Sequence, residues 1–322
     1  MVSFPYFIYH NLFHHPPTPS TPLTNQTIII TGSNTGLGLE AARHIARLGA
    51  SKIILAVRNT AAGHEAVKSI EESTNRPGIC EVWEVDLASY ASVLSFADRA
   101  NALPRLDAVI ENAALATQNY QLAEGHERSI TVNVISTVLL GLLLLPKLRE
   151  TGKLYPGRKP TLSIVVSEVH AWTKFPEWRS ENTFSALDDQ ATTDMYERYP
   201  TSKLVGILAV REMVARLRDE SVVVNMINPG FCHSQLAREG GWSMAVMKMV
   251  LAKSTEEGSR TLVAGAVGGV ESHGQYMDCG RVAPDYLSDF VRSEDGGRAQ
   301  RKVWGELGEI LEGVKSGVLG NL

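Results

Sequence analysis

Three hundred and twenty-two residues, 44% of them hydrophobic, are enough for one large α/β domain with a well-buried core. A net charge near −4 leaves no cationic footprint of the kind nucleic acid requires. Cys80, Cys232 and Cys279 are widely spaced and odd in number, so they offer neither a disulfide framework nor a CxxC metal pattern, the histidines lack metal-ligand spacing, and a reducing, cytoplasmic setting is expected.

Residues 1–24 read as an N-terminal arm, distinct from the domain at 25–322. Phe4, Tyr6, Phe7, Ile8, Tyr9, Leu12 and Phe13 cluster apolar surface, and Pro16, Pro17, Pro19 and Pro22 then break regular structure. The apolar stretch is too short to span a bilayer and lacks the basic start and long hydrophobic run of a signal peptide. The arm is expected to pack on the outside of the domain. Peripheral membrane contact is the alternative.

Thr27-Ile-Ile-Ile30 is a β-branched apolar run and predicts a buried strand. It runs into Thr31-Gly32-Ser33-Asn34-Thr35-Gly36-Leu37-Gly38, and a helical pattern follows over Leu39–Leu48, with Gly49 as its stop. Strand, glycine-rich turn and helix together suit a phosphate site, because glycines admit close approach and a helix N-terminus offers free N–H groups. A tight turn without a ligand is the alternative. Lys52–Val57 predicts the second strand. Arg58 follows it, with no carboxylate until Glu65. In sheets of this kind an acidic residue here favours NAD, whereas a guanidinium suits the 2′-phosphate of NADP. A surface arginine at a helix start is the plainer reading.

Strands are further predicted over Glu81–Val85, ahead of Asp86 and Leu87, and over Leu106–Ile110, ahead of Glu111-Asn112-Ala113-Ala114. Val134–Leu148 predicts a helix apolar nearly all round, either a dimer face or a face buried beneath the arm of a monomer. Leu162–Val166 and Val222–Ile227 are the fifth and sixth strands, ahead of Ser167 and of Pro229-Gly230. Alternating strands and helices, with no repeat or linker, predict a single-domain, Rossmann-type doubly wound parallel sheet. Its ligands would lie beyond the carboxyl ends of the strands, where all these post-strand residues converge.

Tyr199-Pro-Thr-Ser-Lys203 places a phenol and an ammonium on one helix face at i and i+4. A neighbouring cation favours phenolate, which makes the pair a candidate acid/base unit for a carbonyl oxygen.

These motifs, in this order, resemble the short-chain dehydrogenase/reductase family across about residues 25–290. The family's T-G-x3-G-x-G turn is similar to Thr31–Gly38. Its acidic residue after the third strand matches Asp86, its N-N-A-G element resembles Glu111–Ala114, and its helix asparagine matches Asn133. Its serine, its Y-x3-K pair and its P-G turn match Ser167, Tyr199 with Lys203, and Pro229-Gly230. Gly32-Ser-Asn-Thr-Gly36, Ala56-Val57-Arg58 and Ser167-Glu168-x-His170 resemble the retinol-dehydrogenase-like and fungal biosynthetic branch.

The resemblance implies an NADP(H)-dependent oxidoreductase. Tyr199 would exchange the proton on the substrate oxygen, Lys203 would lower its pKa and bind the nicotinamide ribose, and Ser167 would hold the oxygen. Asn133 would keep a helix geometry and a water on a relay to Lys203. Asp86 would meet the adenine amino group, Leu87 would offer its backbone, and Asn112 and Ala113 would line the cofactor. Ser234 stands at the family's threonine position after P-G, and Glu111 replaces a sheet-bracing asparagine.

The long stretch between Ser167 and Tyr199 carries Trp172, Phe175, Trp178 and Phe184. The substrate-loop region, about 230–255, carries Phe231, Leu236, Trp242, Met244, Met247 and Met249. These suit an apolar small molecule such as a secondary-metabolite ketone, or they merely pack a lid onto the body. His170 is expected either to touch substrate or to be solvated. A non-catalytic nucleotide-sensing binding protein, and an epimerase or dehydratase on the same fold, are the competing functions.

Overall fold

A computed structural model of the chain describes residues 11, 13–233 and 252–322. The strands β1 (Thr27–Thr31), β2 (Lys52–Val57), β3 (Cys80–Glu84), β4 (Ala108–Glu111), β5 (Thr161–Val165), β6 (Val223–Asn228), β7 (Tyr276–Asp278) and β8 (Arg281–Val282) form one sheet in the order β8-β7-β6-β5-β4-β1-β2-β3. All pairings are parallel except that of β7 with β8. The connections carry α1 (Gly36–Arg47), α2 (Thr60–Thr74), α3 (Tyr90–Asn101), α4 (Ser136–Leu154), α5 (Met195–Arg216) and α6 (Thr255–Ala266), and α7 (Glu294–Val314) follows the sheet.

Both faces of the sheet are covered, which is why β1, β4, β5 and β6 are apolar runs without alternation and buried along their whole length. On one face Ile29, Ile54, Val109 and Leu162 pack against α3, α4, α5 and α7. On the other, Ile28, Ile30, Ile53 and Leu55 meet α1 and α6. The chain turns outward in opposite directions from β1 and β4, so the loops after these two strands flank the point where strand order reverses.

The six anticipated strands are present within two residues of the anticipated bounds. β7 and β8, of three and two residues, are additional; they are too short to show a period. α4 is indeed buried all round, but not by the described residues of the arm, 11 and 13–24. It lies under α3 and the C-terminal residues, with Asn321 Nδ2 donating to Leu142 O at 3.1 Å and Arg149 Nη2 to Leu322 O at 3.2 Å. The segment Arg128–Leu154 is long and apolar enough to cross a membrane, yet 89% of its most apolar window is buried inside the fold, as in a core helix.

The arm instead crosses the opposite side. Leu23 enters the α1 and α6 core, Arg260 Nη1 donates to Pro16 O at 3.2 Å, and Asn11 Oδ1 accepts from Phe231 N–H at 3.2 Å. The rest of the arm's apolar cluster, Phe4, Tyr6, Phe7, Ile8, Tyr9 and Leu12, lies outside the described residues.

Candidate active site

The glycine turn is built for close approach. Gly32 has φ +64, and a Cβ there would stand 2.9 Å from Ala113 Cα. A Cβ on Gly38 would stand 2.7 Å from both Asn112 Nδ2 and Gly32 O. Contacts that short exclude any side chain, so α1 starts hard against the loop after β4. Thr35 caps α1 through extended backbone with no side-chain acceptor, which leaves first-turn N–H groups for an anion. Gly36 opens the helix, and Leu37 is buried behind it.

The turn is locked from beneath. Ser33 Oγ donates to Ile30 O at 2.8 Å. Thr31 Oγ1 accepts from the N–H groups of Asn112 and Ala113, both at 2.9 Å. Asn112 Nδ2 donates to Thr31 O at 2.9 Å and Gly32 O at 3.1 Å. Asn112 is therefore a brace between β1 and β4. The bracing bonds expected of the preceding position are missing, since neither Glu111 oxygen has a hydrogen-bond partner and burial pushes its carboxyl pKa well above 4.5.

A cleft of about 230 Å³ opens above this lock, with Gly32, Asn34, Arg58, Asp86, Leu87 and Ala113 in its wall. Asp86 is held by Ser92 Oγ, which accepts from its N–H at 2.9 Å, and by Ala88 N–H, which donates to its Oδ1 at 2.9 Å. Arg58 is exposed at the rim and has no carboxylate partner among the described residues. Backbone donors, glycine clearance and a guanidinium make a donor set that fits a dinucleotide.

At the other end of the crevice α5 supplies Tyr199 and Lys203. Lys203 is 5% exposed, and its Nζ donates to Val165 O at 2.8 Å and stands 5.7 Å from the Tyr199 ring centroid. Burial lowers its pKa to about 8. Burial also pushes the Tyr199 phenol up to about 12, against a hydrogen bond from Ser167 that favours the phenolate. The expected lowering of the phenol by Lys203 is not what this structure shows. The ammonium is turned to the Val165 carbonyl, and loss of hydration is the largest cause of the phenol's shift.

Asn133 lies in a π-helical turn, Thr131–Ile135, ahead of α4. Its Oδ1 accepts from Leu115 N–H at 2.7 Å; its Nδ2 donates to Leu115 O at 2.8 Å and Ser202 Oγ at 2.9 Å. Ser202 Oγ donates in turn to Tyr199 O at 2.8 Å. Asn133 thus clamps the loop at the cofactor cleft onto the helix of the Tyr–Lys pair. Ser202, one turn beyond Tyr199, was not anticipated; only its spacing on the helix could have drawn attention to it.

Asn228, at the end of β6, is a second missed brace. Its Oδ1 accepts from the N–H groups of Glu168 and Gly230, both at 3.2 Å, and so fixes Pro229-Gly230 beside the residue after Ser167. Ser234, Leu236, Trp242, Met244, Met247 and Met249 lie outside the described residues. Phe175, Trp178 and Phe184 are packed into the core, the first two with ring contacts to Phe290, so these three serve to pin the long insert and do not line a pocket. His170 is neither solvated nor free to touch substrate. It is 1% exposed, with Nδ1 2.7 Å from Ser167 O and Nε2 accepting from Ser288 N–H at 3.0 Å.

A short chain dehydrogenase family model matches residues 26–154, the stretch from the glycine turn through α4. The short-chain dehydrogenase anuD of Penicillium roqueforti is 42% identical over 97% of this chain and 84% of its own length. The short chain dehydrogenase/reductase dmxR8 of Cryptosporiopsis is 44% identical over 98% and 99%. Among solved structures, a short-chain type dehydrogenase/reductase from Mycobacterium marinum superposes with a TM-score of 0.62 at 19% identity, over 83% of this chain and 97% of its own. A Shigella flexneri protein solved in complex with NADP gives 0.56 at 22% identity, over 81% and 100%. The structural likenesses show the fold, and the two fungal relatives carry the family across nearly the whole chain. The protein is a short-chain dehydrogenase/reductase, an oxidoreductase of the nicotinamide-dependent kind.

Proposed function

We propose that this enzyme is an NADP(H)-dependent ketone reductase, reversible as an alcohol dehydrogenase, for an apolar small molecule of fungal secondary metabolism. The observation that carries the reading is the Tyr199 hydroxyl, hydrogen-bonded to Ser167, with the buried Lys203 on the same helix face over its ring. A protonated phenol is a proton donor, which is what reduction of a carbonyl needs.

The glycine turn and the start of α1 would hold the cofactor pyrophosphate, Asp86 and Leu87 its adenine, Arg58 its 2′-phosphate, and Lys203 a ribose. The cofactor supplies the hydride. Ser167 orients the carbonyl oxygen, Tyr199 gives it a proton, and the Ser167 hydrogen bond favours the phenolate left behind, with Lys203 over the ring. Asn133 keeps α5 in register with the cleft. Arg58, with no acidic neighbour on β2, favours NADP over NAD. The complex of the Shigella flexneri neighbour with NADP supports this, and the fungal relatives support the metabolic setting.

The test is to follow nicotinamide absorbance while the protein meets NADPH and a panel of apolar ketones. Reduction should hold its rate between about pH 6 and 8, and oxidation of the product alcohol should climb with pH, because Tyr199 must then lose its proton first. Tight NADPH binding with no turnover would favour the nucleotide-sensing alternative.

A further inference from the structure

His170 is buried beside the reacting end of the site, yet no step above uses it. Ser167, just beyond the end of β5, is in extended conformation, φ −156 and ψ 148, and starts a single 3-10 turn over Glu168–Ala171. Its carbonyl accepts twice from His170, from the backbone N–H at 3.2 Å and from the ring at Nδ1 at 2.7 Å. The other ring nitrogen faces Ser288 N–H, a group that can only donate. Nε2 must therefore be the acceptor, so the single proton of a neutral ring sits on Nδ1 and is donated to Ser167 O. Free imidazole prefers the opposite tautomer, with the proton on Nε2. The ring packs on Tyr276 of β7, centroids 5.8 Å apart, and burial lowers its pKa to about 4, so the neutral form is the one present near neutral pH.

We propose that His170 is a positioning residue for Ser167: its Nδ1–H tethers the Ser167 carbonyl, its Nε2 anchors that tether to the Ser288 backbone, and the segment ahead of α7 thereby sets where the Ser167 hydroxyl stands. The proposal deepens the reading of Ser167 given above and rests on it. The hydroxyl has one position from which it meets both Tyr199 and a substrate oxygen, and a displacement near 1 Å can cost a catalytic group about a hundredfold in rate. Solvation and substrate contact are excluded as roles by the ring's burial and its two occupied nitrogens.

Two substitutions separate the two bonds. Asparagine places an amide N–H where Nδ1 stands but does not reach Ser288. Glutamine places an acceptor where Nε2 stands but offers nothing to Ser167 O. Both lose one bond, so both should lose similar stability. His170→Ala and His170→Gln should lower kcat about tenfold, with KM for the ketone and Kd for NADPH within about twofold of wild type. His170→Asn, which keeps the bond to Ser167 O but loses the anchor to Ser288, should recover only part of that loss.

The ring state is read independently by nitrogen NMR of the substrate-free protein, which should show an Nδ1–H tautomer that does not titrate between about pH 5 and 8. An Nε2–H tautomer overturns the proposal, as does a His170→Gln enzyme with wild-type kcat, or asparagine and glutamine variants that lose rate alike. A wild type that turns over no ketone defeats the functional reading instead, and the NMR result still decides the tether.

Discussion

Replacing Glu111 by leucine should stabilise the fold by an amount that depends on pH. The carboxyl is 4% exposed, and its Oε1 lies 3.5 Å from where a Cβ on Gly141 of α4 would stand. Burial raises its pKa well above 4.5, so an unfolded chain releases this proton near pH 4.5 while the folded chain keeps it. Above that pH the unfolded state binds fewer protons than the folded one, and the free energy of unfolding falls as pH rises. Each pH unit above 4.5 over which the difference persists costs about 1.36 kcal/mol, so the interval from pH 4.5 to about 6 falls on the destabilising side. Below 4.5 both states carry the proton and the penalty vanishes. Leucine removes the titration altogether. Urea denaturation of wild type and Glu111→Leu at both ends of that interval gives the difference directly. The leucine variant's advantage should grow toward pH 6, by about 1.36 kcal/mol for each pH unit over which only the folded chain keeps the proton, with NADPH binding retained because Asn112 supplies the bracing. An advantage of the same size at both ends would refute the argument, since it would mean that the folded state does not hold the proton.

Tyr199→Phe keeps the ring and removes the proton donor, so turnover should fall at least ~100-fold with NADPH affinity unchanged, as fluorescence titration and steady-state rates on one preparation would show. Wild type should bind NADP(H) at least about tenfold tighter than NAD(H), about 1.4 kcal/mol, and Arg58→Asp should erase that preference; equal wild-type affinities would remove Arg58 from the reading of the 2′-phosphate. The protein should run as a monomer in size exclusion with light scattering, because α7 already covers α5 through Arg211, Gln300 and Glu212, and a dimer would contradict this.

The central sheet was legible because its inner strands, buried on both faces, are written as mostly apolar runs, and because the strands end at residues with a recognisable chemical type. Tyr199 and Lys203 were legible because one helical turn places them together without help from the rest of the chain. The hydrogen bond between Ser167 and the phenol was not, since it forms only where β5 and α5 bring together residues distant in sequence. The arm's path was missed for a similar reason: Asn11 and Phe231 meet across 220 positions, and no local pattern encodes that contact. Phe175 and Trp178 of the long insert carried a correct signal of burial but not its direction, which Phe290 decides from beyond β8, whereas Trp172 stays half exposed.

The bond between His170 and Ser288 joins positions 118 apart, and it has a consequence for the order in which this enzyme matures. A chain synthesised through β6 already holds the glycine turn, Asn133, Tyr199 and Lys203, so it can assemble six parallel strands and collapse. It has no partner for the His170 ring, and the Ser167 carbonyl is left to find its own orientation. Competence would therefore arrive in two stages, a cofactor-binding sheet first and an aligned serine only once the residues ahead of α7 dock. The same seam runs in reverse under mild denaturant. Loosening of the segment around Ser288 should lower kcat, by up to about tenfold, while the sheet and its nucleotide site are still intact, so a fall in activity should precede loss of secondary structure.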